Sequence, residues 1–201
     1  MEKIENYISF DLEFNTAGER HHLIQVSAVK FIQHEEVETF DSFVYSELPL
    51  PAFINGLTGI TKEKIDNAPR VEEVLKEFKS FVGELPLIGY SARNNDLPIL
   101  LENGLDLEAQ YVVDVFEEAQ LKRSNDLNGV IDLKLTTVAK YFDIPGHGHN
   151  ALDDARMTAL VYEKFLELEE NKKYVEQLES KKEESSMGNL FSGVDLSSLF
   201  D

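Results

Sequence analysis

Hydrophobic side chains change their rhythm once along this chain, and the order of the two rhythms leaves few folds open. Before Pro51, three runs at residues 7–14, 24–32 and 37–45 carry apolar or alternating residues, with turn-prone residues between the first two. Such runs predict three consecutive strands in an antiparallel meander. Beyond Pro51, Val71, Val74, Leu75, Phe78 and Phe81 fall at helical spacing over 71–82, residues 85–90 read as a strand, and 97–102 resemble a helix. One more short strand is expected at 111–115. Helices are expected at 134–142 and from 151 to about 178, separated by the Pro145-Gly146-His147-Gly148 loop. Strands first and strand–helix units afterwards predict an α/β fold, a mixed five-stranded sheet flanked by helices.

A chain of 201 residues with 42% hydrophobic content supports one substantial core. We expect the folded domain over 1–178. From 179 the composition turns polar and then small, which reads as a flexible linker and C-terminal tail over 179–201. The opening Met1-Glu2-Lys3-Ile4-Glu5-Asn6 lacks the basic and apolar stretches of a secretion signal, and no segment approaches membrane-spanning length, so a cytoplasmic protein with no membrane partner is expected. There is no cysteine, so any metal must sit on oxygen or imidazole. The net charge of −19 opposes nonspecific attraction to nucleic acid. Bound cations can reverse that potential locally, so a nuclease with this composition would depend strictly on metal and bind substrate weakly by itself.

Period-two geometry puts Ile8, Phe10, Leu12 and Phe14 on one face of the first strand and Tyr7, Ser9, Asp11 and Glu13 on the other. Asp11 and Glu13 then point the same way with Cα atoms about 7 Å apart, a pair able to contact two cations about 3.5–4 Å apart. Taken alone, the pair also reads as the polar face of a half-buried strand. In His149-Asn150-Ala151-Leu152-Asp153-Asp154, helical geometry places Asp154 on a stripe with Thr158, Val161 and Phe165, whereas Asp153 lies among Arg156, Leu160 and Lys164. A carboxylate on an apolar stripe is costly unless paired or metal-bound, which favours Asp154 as a ligand, with a helix-start charge as the alternative. Asp96 ahead of Leu97-Pro98 reads as ligand or helix cap. His149 follows Gly148 just before the helix and can serve as general base near neutral pH, with His147 as its competitor.

Together, Asp11-Leu12-Glu13, Asp96 and His149-x-Ala151-x-x-Asp154 resemble the DEDDh 3′-5′ exonucleases and their ribonuclease H-like fold. Asp114, Leu57-Thr58-Gly59-Ile60-Thr61 and Lys134-Leu135 extend the resemblance, which runs to about residue 168 and is nearest to the proofreading exonucleases of bacterial polymerase III, of epsilon or PolC type. The resemblance implies two Mg²⁺ or Mn²⁺ ions held by Asp11, Glu13, Asp96 and Asp154, with His149 deprotonating the attacking water. It also implies that Phe14, Asn15, Thr16, Leu57 and Thr58 surround the terminal nucleotide, and that nucleoside 5′-monophosphates leave the 3′ end. The family's two threonines after the glutamate are Phe14-Asn15 here, its His-Asn pair is Ser91-Ala92, and Asn95 stands before Asp96, departures that bear on substrate preference.

The expected partner is a nucleic acid 3′ end, single-stranded DNA over RNA, with a ribonuclease T-like or oligoribonuclease-like exoribonuclease as the rival reading. A catalytically silent interaction module is the alternative from another class. The tail Asp195-Leu196-Ser197-Ser198-Leu199-Phe200 resembles peptides that insert Leu-Phe into the bacterial sliding clamp, although their first glutamine is Asp195 here. Tethering of that kind would offset weak DNA attraction.

Overall fold

The computed structural model describes residues 3–107 and 109–191, with side chains as far as Lys181. Strands β1 (Tyr7–Ala17), β2 (Arg20–Ile32) and β3 (Glu35–Phe43) form the antiparallel meander, and β4 (Leu87–Gly89) and β5 (Val112–Asp114) add to it in parallel. The five-stranded order is β3-β2-β1-β4-β5. The helices are α1 (Ala52–Thr58), α2 (Lys62–Asp66), α3 (Val71–Val82), α4 (Asp96–Glu102), α5 (Val115–Lys122), α6 (Leu135–Tyr141) and α7 (Ala151–Phe191). A first compact unit ends at Lys164 and a second begins at Phe165.

Strand β1 is central and covered on both faces. Ile8, Phe10 and Leu12 pack into one cluster with Val74, Leu75 and Phe78 of α3, burial that contributes roughly 1.5–3 kcal/mol per large side chain. On the other face Ser9 Oγ donates to the Ala155 carbonyl at 2.7 Å, and the Tyr7 hydroxyl donates to Glu163 at 2.6 Å. That face reads as solvated from alternation alone, but its first polar residues are spent on α7. Asp11 and Glu13 follow Ser9 on the same face and so arrive at the start of that helix.

Edge strand β3 is mostly exposed and carries Glu35, Glu36, Glu38 and Asp41, charges that discourage pairing with another chain. Helices α1, α2 and α5 were not expected. They span 7, 5 and 8 residues, too few turns for a 3.6-residue rhythm to show. Helix α7 runs to Phe191, through residues read from composition as linker. Glu, Lys and Gln favour helix even where no apolar face is buried, so polarity there predicts exposure rather than loss of helix. Residues 171–181 are exposed. The tail peptide from Asp195 to Phe200 lies outside the described residues. Among the described residues no helix is long and apolar enough to cross a membrane.

Buried Asp114 ties the ends of β4 and β5 together. Its Oδ1 accepts from the backbone N–H of Ser91 at 2.9 Å and of Phe116 at 3.0 Å, and its Oδ2 accepts from Arg93 N–H at 3.1 Å. The turn it holds is tight: a Cβ on Gly89 would stand 2.4 Å from Ala92 Cβ. Asp114→Ala strands three donors and is expected to cost about 3 kcal/mol, since a hydrogen bond to a charged group is worth roughly 1.5–3 kcal/mol. Urea unfolding checks this, and a loss below about 1 kcal/mol would show that water replaces the carboxylate.

Candidate active site

Three acidic side chains meet beside β1, and a fourth, Asp96, stands near enough to act on them electrostatically. The β1–β2 register pairs Glu13 with Gln25 and Phe14 with Leu23, which leaves Ile24 as the extra residue of a bulge beside Glu13. Bulges commonly re-aim side chains next to active sites. Asp11 and Glu13 are half-buried on the face of β1 that meets α7. Asp154, in the first turn of α7, completes a trio: Asp11, Glu13 and Asp154 each offer one carboxylate oxygen, all within 4.8 Å of one another.

Asp154 is 9% exposed and its Oδ2 accepts from the His149 backbone N–H at 2.7 Å. Asp153 instead faces out, its side chain 37% exposed and in contact with Arg156 at 3.7 Å and His147 at 3.9 Å. The expected division between the two aspartates is the one observed. Asp96 opens α4 and is buried, with the Leu12 backbone N–H bonded to its carboxylate and its charge acting on Asp11. It lies outside the close trio and beside it electrostatically. Asn95 precedes it as the cap residue but makes no side-chain capping bond.

Crowding shows in the acidities. Burial, followed by the charges of Asp96, Asp154 and Glu13, holds the Asp11 carboxyl well above the usual range. Burial and then Asp154 push Glu13 up to about 7. Burial pushes Asp96 to about 7, with Asp114 and Glu13 adding to the rise. Asp154 is raised by burial against the pull of the His149 N–H. Such a set is costly as anions and is relieved by divalent cations, and an all-oxygen donor set suits hard ions. The donors present therefore fit a metal centre.

His149 is exposed and sits at φ 68°, at the mouth of a cavity of about 470 Å³ that Asp11 and Asp154 also line. The loop before it is closely packed: a Cβ on Gly148 would stand 2.6 Å from Thr136 Cγ2. Of the residues expected around a terminal nucleotide, Thr16 and Leu57 have exposed side chains. Phe14 lies edge-on to His21 at 5.1 Å, Asn15 donates to the Pro49 carbonyl at 3.0 Å, and Thr58 Oγ1 donates to the Ile54 carbonyl at 2.8 Å. None of the five lines the cavity. It is also lined by Tyr90, Phe116 and Thr136, which sequence reasoning missed, and by Lys134, noted there only within a similar segment.

The RNase_T exonuclease family model matches residues 8–162. The PolC-type DNA polymerase III of Caldanaerobacter subterraneus subsp. tengcongensis is 32% identical over 165 residues, covering 80% of this chain and 12% of that polymerase. The chain therefore spans about an eighth of such a relative, 12% of its length. Among solved structures, cell-death related nuclease 4 aligns with a TM-score of 0.69 at 16% identity, covering 82% of this chain and 64% of that one. The nuclease domain of 3′hExo, a DEDDh family member bound to rAMP, aligns at 0.66 with 20% identity, covering 81% and 92%. These likenesses establish the ribonuclease H-like fold. The family match covers β1 with Asp11 and Glu13, α4 with Asp96 and the first turns of α7 with Asp154, and the chain belongs to the RNase_T exonuclease family.

Proposed function

We propose that this chain removes nucleotides from the 3′ end of DNA, in a proofreading or repair role, with Asp11, Glu13, Asp96 and Asp154 holding two Mg²⁺ or Mn²⁺ ions. The observation that carries the reading is the 4.8 Å convergence of carboxylate oxygens from Asp11 and Glu13 on one strand and Asp154, far along the chain from both. Ions bound there would polarise the attacking water and offset charge on the departing 3′ oxygen. The chain's own residues do the rest. His149 takes the proton from that water, and its backbone N–H on Asp154 keeps the histidine loop next to a ligand carboxylate. Asp96 adds a buried charge from the opposite element. Thr16 and Leu57 offer the exposed surface for the terminal nucleotide.

DNA is favoured over RNA because the relatives near 30% identity are DNA polymerases. The test is digestion of end-labelled single-stranded DNA, mismatched duplex and RNA of one sequence, with and without metal. The expected result is shortening from the 3′ end with release of 5′-monophosphates, only with metal and fastest on single-stranded DNA. Faster loss of RNA would move the chain to the exoribonuclease reading, and no hydrolysis of any of them would reject the proposal.

The placement of His149 gives a separate expectation. Gly148→Ala forces a methyl onto Thr136 and should lower turnover by roughly tenfold to a hundredfold through displacement of the imidazole. Thr136→Ser removes the opposing methyl, so the double variant should recover most of the loss in single-turnover kinetics. Failure to recover would mean that the contact with Thr136 is not what places the imidazole.

We further propose residues 1–178 as the exonuclease domain and 179–201 as a tail whose peptide from Asp195 to Phe200 docks in a sliding clamp. Titration of that peptide with the clamp tests it, and absence of measurable affinity ends the idea.

A further inference from the structure

Past the bulge beside Glu13, β1 and β2 run on alone. They stay paired from Phe14 opposite Leu23 to Ala17 opposite Arg20, whereas β4 meets β1 at Ile8 and Ser9 and β3 leaves β2 at Gln25. Among the described residues the tip, 14–23, is therefore a two-stranded ribbon with no third strand beside it. A two-stranded hairpin on its own is marginally stable in water, so a ribbon that outruns its sheet needs other ties to keep one shape. One tie is Asn15, which donates to the Pro49 carbonyl at 3.0 Å.

Helix α4 supplies a stronger hold. Its last residue, Glu102, accepts from the His21 backbone N–H at 3.2 and 3.3 Å through its two oxygens, and His21 Nδ1 lies 3.0 Å from Oε2. Bonds to a carboxylate are stronger than those between neutral groups. Asn103, next in the chain, donates from Nδ2 to the His21 carbonyl at 2.9 Å and to that of Ile99 at 2.8 Å. The N–H, the carbonyl and the ring of one hairpin residue are thus all taken by the end of α4. That residue is also the register partner of Thr16 and the ring neighbour of Phe14 at 5.1 Å. The same helix opens with Asp96, whose carboxylate is bonded to the Leu12 backbone N–H. One short helix therefore meets β1 beside the carboxylates and grips the ribbon beyond them.

We propose that Glu102 is a positioning residue: by clasping His21 it holds the β1–β2 ribbon in the arrangement that presents Phe14, Asn15 and Thr16 to the terminal nucleotide. The proposal rests on the exonuclease reading above. Glu102 ends the helix that Asp96 begins, and it acts through the ribbon. Without the clasp the ribbon samples other arrangements, and substrate must restore the productive one. When a binding-competent state is populated to about a tenth, apparent affinity falls about tenfold, and saturating substrate recovers it.

Glu102→Ala, assayed with Mg²⁺ on end-labelled single-stranded DNA, should therefore raise KM about tenfold with kcat within about twofold of wild type. Amide hydrogen exchange of the protein alone should quicken by about tenfold at 14–17 and 20–23 and stay unchanged in α3 and β4. A merely structural loss removes folded enzyme, which lowers kcat at constant KM and quickens exchange throughout. That outcome, an unchanged KM, or ribbon amides that exchange at the wild-type rate would each overturn the clasp. Wild-type protein inactive on DNA would instead overturn the exonuclease reading, and the positioning role with it.

Discussion

Asp11→Asn lowers kcat/KM by at least about 10³-fold while raising the melting temperature of the metal-free protein by a few degrees; both changes are expected from one side chain. The loss follows from chemistry: a neutral amide oxygen is a poor ligand for two hard cations, and charge stabilisation by such ions is worth several kcal/mol of barrier. The gain follows from the crowd around the residue. Burial and the charges of Asp96, Asp154 and Glu13 all oppose an anion at Asp11. Asparagine removes that anion with little change in volume, and its –NH₂ can donate to the remaining carboxylates. A relief of about 1 kcal/mol moves the midpoint of a chain this size by roughly 2–4 °C. Steady-state kinetics and thermal melts in chelator measure the two halves separately. A variant that turns over near the wild-type rate ends the metal reading, and one that melts lower than wild type shows that repulsion is not what strains the site.

Opposite signs for activity and stability are the mark of a site held in tension by the fold. Here the tension comes from covered elements on each side. Ser9 fastens β1 to α7 at Ala155, next to Asp154, and Asp114 clamps the turn that leads into Asp96. The packing brings like charges together, and the free energy to do so comes from apolar residues such as Ile8, Phe10 and Phe78 that sit under the site.

How much of this could be read beforehand depended on the length of the signal. The strand rhythm of β1 and β2 and the helical rhythm of α3 persist over many residues, and the structure has those elements. The burial of Asp154 and the exposure of Asp153 were legible too, because helical geometry alone separates an apolar stripe from a charged one. Helix α5 was hidden because its start at Val115 continues the apolar run of β5, and its cap, Asp114, looks like a strand residue until three N–H groups are seen around it. The cavity wall was hidden for another reason. Tyr90, Phe116 and Lys134 come from three separate loops and helix starts, share no spacing, and meet only through the parallel order of β1, β4 and β5.

Metal and pH should act on stability through the same carboxyls, and in opposite directions. Glu13 and Asp96 have folded values of about 7 against ordinary values of 4.5 and 3.8, and Asp11 is likewise held well above its ordinary range. Between about pH 4 and 7 the folded chain therefore holds protons that the unfolded chain has released. Stability falls with pH wherever the folded state binds more protons, by about 1.4 kcal/mol per pH unit for each proton in the difference. The contribution is fully present below about pH 4 and is lost as pH rises through 7. In chelator the melting temperature should decline across this window, and Asp11→Asn and Glu13→Gln should each flatten the decline relative to wild type, which separates the site from the general effect of net charge. Mg²⁺ must displace these protons to bind, so its affinity rises with pH over the same interval. At pH 8, metal at a hundred times its Kd stabilises by about 2.7 kcal/mol, an increase of roughly 5–10 °C, and at pH 5.5 the increase should be much smaller. A metal-induced shift that is the same at both pH values would mean that the ions bind away from Asp11, Glu13 and Asp96.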